Sequence, residues 1–163
     1  MARKAFYSFH YKPDNWRASQ VRNMGVIEGD APVSDNAWET VTKGGPVAIE
    51  KWIADEMNGK SCTIVLIGSD TAGRKWITYE IIKTWNDKKG VLGVHIHGLK
   101  DRDQKQSSKG GNPFDHVNLG QKRLSSIVNV YDPPYYISTD VYKYINDNLA
   151  GWVETAIAIR DNN

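Results

Sequence analysis

The amino-acid sequence predicts an α/β fold in which helices cover both faces of a central parallel β-sheet. A continuous apolar run rich in β-branched residues, at residues 62–67, is typical of a strand that is covered on both faces, and residues 91–96 are predicted to form another buried strand. Between and around these two strands lie segments whose apolar residues recur with helical spacing. Such an alternation of strands and helices favours parallel strands joined by right-handed crossovers.

The N-terminal segment, residues 5–11, is short and aromatic, and it is predicted to form the first strand. Pro13 and Asp14 are expected to end this strand. Asp14 or Asn15 can then cap a helix that continues to about Met24.

The next stretch contains a weak strand signal at residues 26–27 and a polar loop at residues 28–36. Pro46 is well placed in the first turn of a helix, and apolar residues on one helical face continue through residues 47–57. Gly59 follows as a helix terminator.

The middle of the chain is predicted to contain the centre of the sheet. The apolar run at residues 62–67 forms one strand, and a turn at residues 68–71 leads into a helix over residues 75–87. A second buried strand is predicted at residues 91–96.

The C-terminal part begins with a polar, Gly- and Ser-containing segment at residues 100–111, which is predicted to be a mobile loop. Order is expected to resume at residues 112–115. A short apolar segment at residues 127–131 is separated by two prolines, residues 133–134, from a last helix over residues 139–160.

The length of 163 residues favours a single domain over residues 1–163, with enough chain to bury a core. Hydrophobic residues make up 40% and charged residues 25% of the chain, as in an average globular protein. The formal net charge is only +2, and Lys and Arg are scattered. Nucleic-acid binding is therefore not expected, because it needs a concentrated basic surface.

Cys62 is the single cysteine, so no disulfide can form within the chain, and a buried structural thiol is expected. No stretch of about 18 apolar residues is present, and no membrane partner is expected. The basic N-terminus is followed by a strand-like segment rather than by the apolar region of a signal peptide. The expected location is the cytoplasm.

Ligands of open parallel sheets bind beyond the carboxyl ends of the strands, which draws attention to the residues just after each predicted strand. Trp76 and Glu80 lie on the helix that follows the central strand, and their i, i+4 spacing places them on one face. An indole ring and a carboxylate on one face suit a sugar nucleotide, because the ring can stack and the carboxylate can stabilise positive charge. On spacing alone, a core tryptophan and a solvated glutamate are favoured.

A metal site is not expected. The four histidines have neither cysteines nor carboxylates at the spacing typical of metal ligands. His95 and His97 share one face of a strand, where a structural role is at least as plausible as a ligand role.

Five segments in order resemble the bacterial TIR-like domain family, in the branch of the Thoeris anti-phage defence proteins. They are the aromatic box at residues 6–11, the strand and turn at 65–69, the motif from Trp76 to Glu80, and residues 94–97 and 111–115. The similarity covers about residues 3–116.

This resemblance implies a three-layer, flavodoxin-like TIR fold, with a core at about residues 3–116 and a family-specific extension at about residues 117–163. It implies cleavage of the nicotinamide–ribose bond of NAD, which is a substrate and not a permanently bound cofactor. The ADP-ribose part would then be cyclised into a signal that activates a downstream effector. A phage-derived trigger and self-association are further implied partners.

The resemblance also implies roles for individual residues. Glu80 matches the catalytic glutamate of the family, and Trp76 matches the tryptophan beside it. Implied substrate contacts come from the rim of the first strand, from the loop at residues 34–38 and from the turn after the central strand: Ser8, Phe9, His10, Tyr11, Asn36, Trp38 and Ser69. For Ser69 a helix N-cap is an equally supported interpretation.

Two other functions are weighed against this one. A non-catalytic TIR-like module could use the same surfaces to bind proteins, because fold does not fix function. A receiver-like phosphoacceptor would need acidic residues at the first strand, where residues 8–11 are Ser, Phe, His and Tyr. For an NAD-cleaving enzyme, the choice between a linear and a cyclic product stays open.

Overall fold

The structure of the chain, a computed structural model, describes residues 3–27 and 41–163. The helices whose two ends both lie in these residues are α1 (Tyr11–Arg22), α2 (Gly45–Met57), α3 (Lys75–Asn86) and α4 (Ser138–Asp161). The strands are β1 (Ala5–Ser8), β2 (Cys62–Ile67), β3 (Gly90–His95), β4 (Asn118–Leu119), β5 (Lys122–Arg123) and β6 (Val130–Tyr131), with 3-10 turns at Pro113–His116 and Leu124–Ser126.

A parallel sheet with the strand order β1-β2-β3-β6 forms the centre of the described structure. Every residue of β1, β2 and β3 is buried, because helices cover both faces. Helices α1 and α4 pack on one face, and α2 and α3 with the turn at Phe114 pack on the other. The predicted α/β fold with a parallel sheet and two helical layers is confirmed.

Helix α4 is the largest single cover of the sheet. Its buried residues recur at helical spacing and lie against β2 and β3: Val141, Ile145, Leu149, Trp152, Val153 and Ala156. Burial of each large aliphatic side chain contributes about 1.5–3 kcal/mol. Gly90 makes the close approach of α4 possible, because a Cβ there would lie 2.8 Å from the backbone nitrogen of Ile157.

Arg17 of α1 binds the loop after β3 through hydrogen bonds. Its buried guanidinium donates to the carbonyl oxygens of Leu99 and Lys105, both at 2.9 Å, and to the Asp14 carboxylate at 3.0 Å. The turn after β2 lies directly against the same carboxylate, since a Cβ on Gly68 would clash with Asp14 Oδ2. Three segments far apart in sequence therefore meet at one buried ion pair.

The first strand is shorter than predicted. β1 ends at Ser8, and α1 begins at Tyr11 with His10 as an extended cap residue, so the strand prediction for residues 9–11 is wrong. Pro13 does not precede the helix but is its third residue, where a missing N–H costs nothing. Asp14 accordingly lies inside the helix and is buried, so capping by Asp14 or Asn15 is wrong as well.

Other differences concern short elements. Residues 26–27 form a bend rather than a strand, and Ile27 is instead buried in the core. Helix α3 starts six residues after Ser69, with Arg74 at the cap position, so Ser69 is not its N-cap. The hairpin β4–β5 and the edge strand β6, two residues per strand, are too short to be predicted.

The segment at residues 100–111 has no regular secondary structure, as predicted, while its mobility stays a prediction. The polar loop predicted at residues 28–36 lies outside the described residues. The predicted division into a core at about residues 3–116 and an extension at about residues 117–163 also stays a prediction. In the structure, α4 of the predicted extension packs against the central strands. No helix in the described ranges has the length and apolar character needed to cross a membrane.

Candidate active site

Glu80 is buried on the inner face of α3, beside the carboxyl end of β1. Only 7% of the residue is exposed, and Ser8 Oγ donates a hydrogen bond to Glu80 Oε1 at 3.2 Å. The inward position follows from helical spacing, since Ile77, Ile81 and Thr84 on the same side of α3 are also buried. One turn after Glu80, Thr84 Oγ1 lies 2.7 Å from a hydroxyl of β2, which fixes the helix on the sheet.

Burial raises the pKa of Glu80 from its ordinary value of 4.5 to about 8, and the hydrogen bond from Ser8 opposes this only in part. The carboxyl group is therefore mostly protonated at neutral pH while the cleft is empty. A positive charge or hydroxyl donors placed beside it would lower this pKa again, because both favour the carboxylate.

The cleft beside Glu80 has an inner, aromatic compartment of about 50 Å³. Its lining comes from β1, the loop after it, α1, α2 and α3: Phe6, Tyr7, Phe9, Tyr11, Arg22, Trp52, Ile53, Glu56, Trp76 and Glu80. The rings of Phe9 and Tyr11 are stacked with centroids 6.1 Å apart, and the Arg22 guanidinium lies 5.0 Å from the Phe9 ring. Such surfaces suit a flat, aromatic ligand group.

An outer compartment of about 420 Å³ adjoins the inner one at Glu80, and its volume is within the usual size range of ligand pockets. It is lined by the loop before α1 and by the first turns of α1 and α3: Phe9, His10, Tyr11, Lys12, Arg74, Lys75, Trp76, Ile77 and Glu80. Phe9, Tyr11, Trp76 and Glu80 border both compartments. A ligand that extends past Glu80 would therefore contact an aromatic wall at one end and basic side chains at the other.

Six of the predicted site residues meet at this cleft. Phe9, His10, Tyr11, Trp76 and Glu80 line it, and Ser8 is bonded to Glu80. Ser69, in contrast, is exposed in the turn after β2 and does not line either compartment. Asn36 and Trp38 lie outside the described residues. The catalytic role of Glu80 and the substrate contacts proposed for the other eight residues stay predictions.

Several residues that line the cleft were not predicted to belong to the site. They include Trp52 and Glu56 of α2, Arg22 and Lys12 of α1, and Lys75 of α3. Helical spacing puts Trp52 next to the buried stripe of α2, but spacing does not reveal which strand that stripe covers.

His95 and His97 lie together at the end of β3, with ring centroids 5.6 Å apart, as their spacing predicts. Neither lines the cleft. Burial lowers the pKa of His95 to about 4, so the ring is neutral at neutral pH. Cys62 is confirmed as a buried thiol, and burial raises its pKa to about 12. Within residues 3–27 and 41–163, no three His, Cys, Asp or Glu side chains are grouped so that they could hold a metal ion.

A parallel α/β domain in which a partly buried Trp76 and a buried Glu80 line a cleft at the end of an aromatic first strand has the architecture of a TIR-like domain. Sequence comparison agrees: residues 6–101 match the family described as "Thoeris protein ThsB, TIR-like domain". A Bacillus cereus (strain MSX-D12) protein named "Putative cyclic ADP-D-ribose synthase ThsB1" is 38% identical over 137 residues, covering 81% of this chain and 71% of that protein. The chain therefore belongs to the ThsB TIR-like family of Thoeris proteins, and the predicted resemblance is confirmed.

Proposed function

We propose that this protein cleaves the nicotinamide–ribose bond of NAD, with Glu80 as the catalytic residue, and forms a cyclic ADP-ribose-type signal. The observation that supports this most directly is the position of Glu80. Its buried carboxyl lies where an aromatic and a basic compartment meet, which matches the order of a pyridine ring, a ribose and a diphosphate in NAD. The name of the Bacillus cereus relative supports the same chemistry.

The proposed reaction breaks the bond between the anomeric carbon and the pyridine nitrogen. The electron pair of that bond goes to the nitrogen, so the positively charged ring leaves as neutral nicotinamide and needs no proton donor. Positive charge develops on the ribose in an oxocarbenium-like transition state. A carboxylate at Glu80, in a site with little water, stabilises that charge and can accept bonds from ribose hydroxyls.

Substrate binding itself would supply the ionised form of Glu80. The pyridinium ring of NAD carries a positive charge, which lowers the pKa of a neighbouring carboxyl. Because burial holds that pKa at about 8 in the empty cleft, binding at neutral pH would release a proton. The negative charge would then arise only when the substrate is in place to use it.

The second half of the reaction decides the product. A nucleophile adds to the anomeric carbon and loses its proton to solvent or to Glu80. Water gives linear ADP-ribose, whereas a nucleophilic atom of the ADP-ribose part gives a ring. The aromatic compartment favours the cyclic product over linear ADP-ribose, because it leaves little room for water near the reacting carbon. In a Thoeris system, such a product would activate an effector after a phage-derived trigger, with self-association of the enzyme.

Incubation of the purified protein with NAD, followed by separation of nicotinamide and of linear and cyclic products, tests this function. We expect turnover by the wild type, none by Glu80→Gln, and wild-type turnover by Glu50→Gln, a matched change of an exposed glutamate on α2. Complete inactivity at high protein concentration and in extracts of phage-infected cells would favour the alternative, a non-catalytic interaction module. Unchanged turnover by Glu80→Gln would remove Glu80 from the reaction.

A further inference from the structure

We infer that the outer compartment of the cleft is a phosphate subsite in which Lys12 and Lys75 bind the diphosphate of a dinucleotide. The inference deepens the proposed function and rests on it for the identity of the substrate. Lys12 is the second residue of α1 and Lys75 the first residue of α3, and both line the cavity of about 420 Å³.

The charge of this cavity is strongly one-sided. Three cationic side chains line it, Lys12, Arg74 and Lys75, and Glu80 at its border with the inner compartment is the one acidic residue among its described lining. Arg74 is already engaged, because its guanidinium donates to the Asp70 carboxylate at 2.6 Å. The remaining lysines therefore carry the charge available to a ligand.

Neither lysine forms an ion pair with a carboxylate in the part of the chain that the structure describes. Lys75 Nζ lies 5.0 Å from the centre of the Trp76 ring, which holds the ammonium group above the indole at the cleft. Two unpaired ammonium groups that line one cavity from two different helices are complementary to a diphosphate carrying two negative charges.

The backbone adds to this charge. Both helices begin at the cavity, and neither has a side-chain hydrogen bond at its N-cap. First-turn N–H groups of a helix lack partners within the helix and carry partial positive charge. His10, between the two helix starts, has its pKa lowered by burial and by Arg74 and Lys12, so it does not compete as a cation.

The two compartments also fix the direction of the ligand. Phe9, Tyr11, Trp76 and Glu80 border both. If the ribose lies at Glu80 with the pyridine ring in the aromatic compartment, the diphosphate extends into the basic one. The subsite would thus contribute to selection of an intact dinucleotide over a nucleoside without phosphate.

Binding measurements test the subsite separately from the chemistry. Isothermal titration of inorganic pyrophosphate and of NAD into Glu80→Gln would be compared with the same protein carrying Lys12→Ala and Lys75→Ala. We expect about 10- to 100-fold weaker binding of both ligands and a smaller dependence on salt. Lys51→Ala, which removes an exposed lysine of α2 away from the cavity, should leave binding unchanged.

Kinetics add a second measurement. In the Glu80-containing enzyme, the two lysine changes should lower kcat/KM for NAD by the same factor and leave cleavage of nicotinamide riboside, which has no phosphate, unchanged. Equal pyrophosphate affinity with and without the lysines, or no pyrophosphate binding at all, would overturn the subsite even if NAD is cleaved. Lysine-dependent pyrophosphate binding without any NAD cleavage would retain the subsite and overturn the proposed function.

Discussion

Replacement of Glu80 by Gln should stabilise the protein against unfolding near neutral pH. The wild-type carboxyl is buried, and burial raises its pKa from 4.5 to about 8. In the unfolded chain the same carboxyl ionises freely above its ordinary value. At pH values between these two pKa values, ionisation of Glu80 lowers the free energy of the unfolded state, whereas the folded state keeps the carboxyl protonated and gains nothing. Gln has nearly the same size and can accept the hydrogen bond from Ser8, but it does not ionise.

The magnitude follows from the two pKa values. The folded state binds more protons than the unfolded state between pH 4.5 and about 8, so wild-type stability falls as pH rises through that window. Each pH unit costs about 1.4 kcal/mol, which gives about 3 kcal/mol at pH 7 relative to Gln. For a chain of this length, that difference corresponds to a rise in Tm of about 6–12 °C. Below pH 4.5 the two proteins should be equally stable.

Urea unfolding at several pH values between 5 and 8 measures the difference. The advantage of Glu80→Gln should grow with pH, while Glu50→Gln on the exposed face of α2 should stay within about 0.5 kcal/mol of the wild type. Parallel stability curves for the wild type and Glu80→Gln would refute the reasoning. They would mean that the Glu80 carboxyl is hydrated or paired in solution.

Further predictions concern the surroundings of the cleft and the core. Ser8→Ala removes the hydrogen bond that lowers the Glu80 pKa, so the rising limb of kcat/KM against pH should move to higher pH; an unmoved profile would contradict this. Gly90→Val places a side chain against the backbone of α4, and urea unfolding should reveal a loss of about 2–4 kcal/mol, whereas an unchanged midpoint would show that α4 can shift freely. Arg17→Met leaves the buried Asp14 carboxylate without its partner, and the same measurement should give a loss of about 3–5 kcal/mol, most of it recovered in the double variant with Asp14→Leu. A loss that the second change does not reduce would contradict that account.

The central sheet and the main site pair could be predicted because their signals are local. Residues 62–67 are apolar apart from Thr63, and a strand buried on both faces favours such a pattern. The i, i+4 spacing of Trp76 and Glu80 is likewise a property of one helix. It established that the two share a face, but only the packing of α3 beside β1 shows that this face lines the cleft.

The basic compartment could not be predicted in the same way. Lys12 and Lys75 are 63 positions apart, and each alone resembles an ordinary exposed lysine at a helix start. Their proximity depends on where α1 begins, and the sequence predicts a strand as far as residue 11 instead. That error arose because aromatic residues continue past Ser8 and favour a strand, while the contacts of Tyr11 in the folded cleft favour the helix.

The contacts of Arg17 have a consequence for the order of events during synthesis. This side chain lies in α1, which leaves the ribosome well before its carbonyl acceptors Leu99 and Lys105, 82 and 88 positions later. Until those residues emerge, the guanidinium lacks these two carbonyl acceptors. The ion pair with Asp14 is then not yet stabilised in a buried position, and α1 is not yet fixed in its final place. A nascent chain that already contains Glu80 therefore still lacks a fixed wall at Tyr11 and Lys12. The cleft should become complete only after the chain as far as Lys105 has left the ribosome.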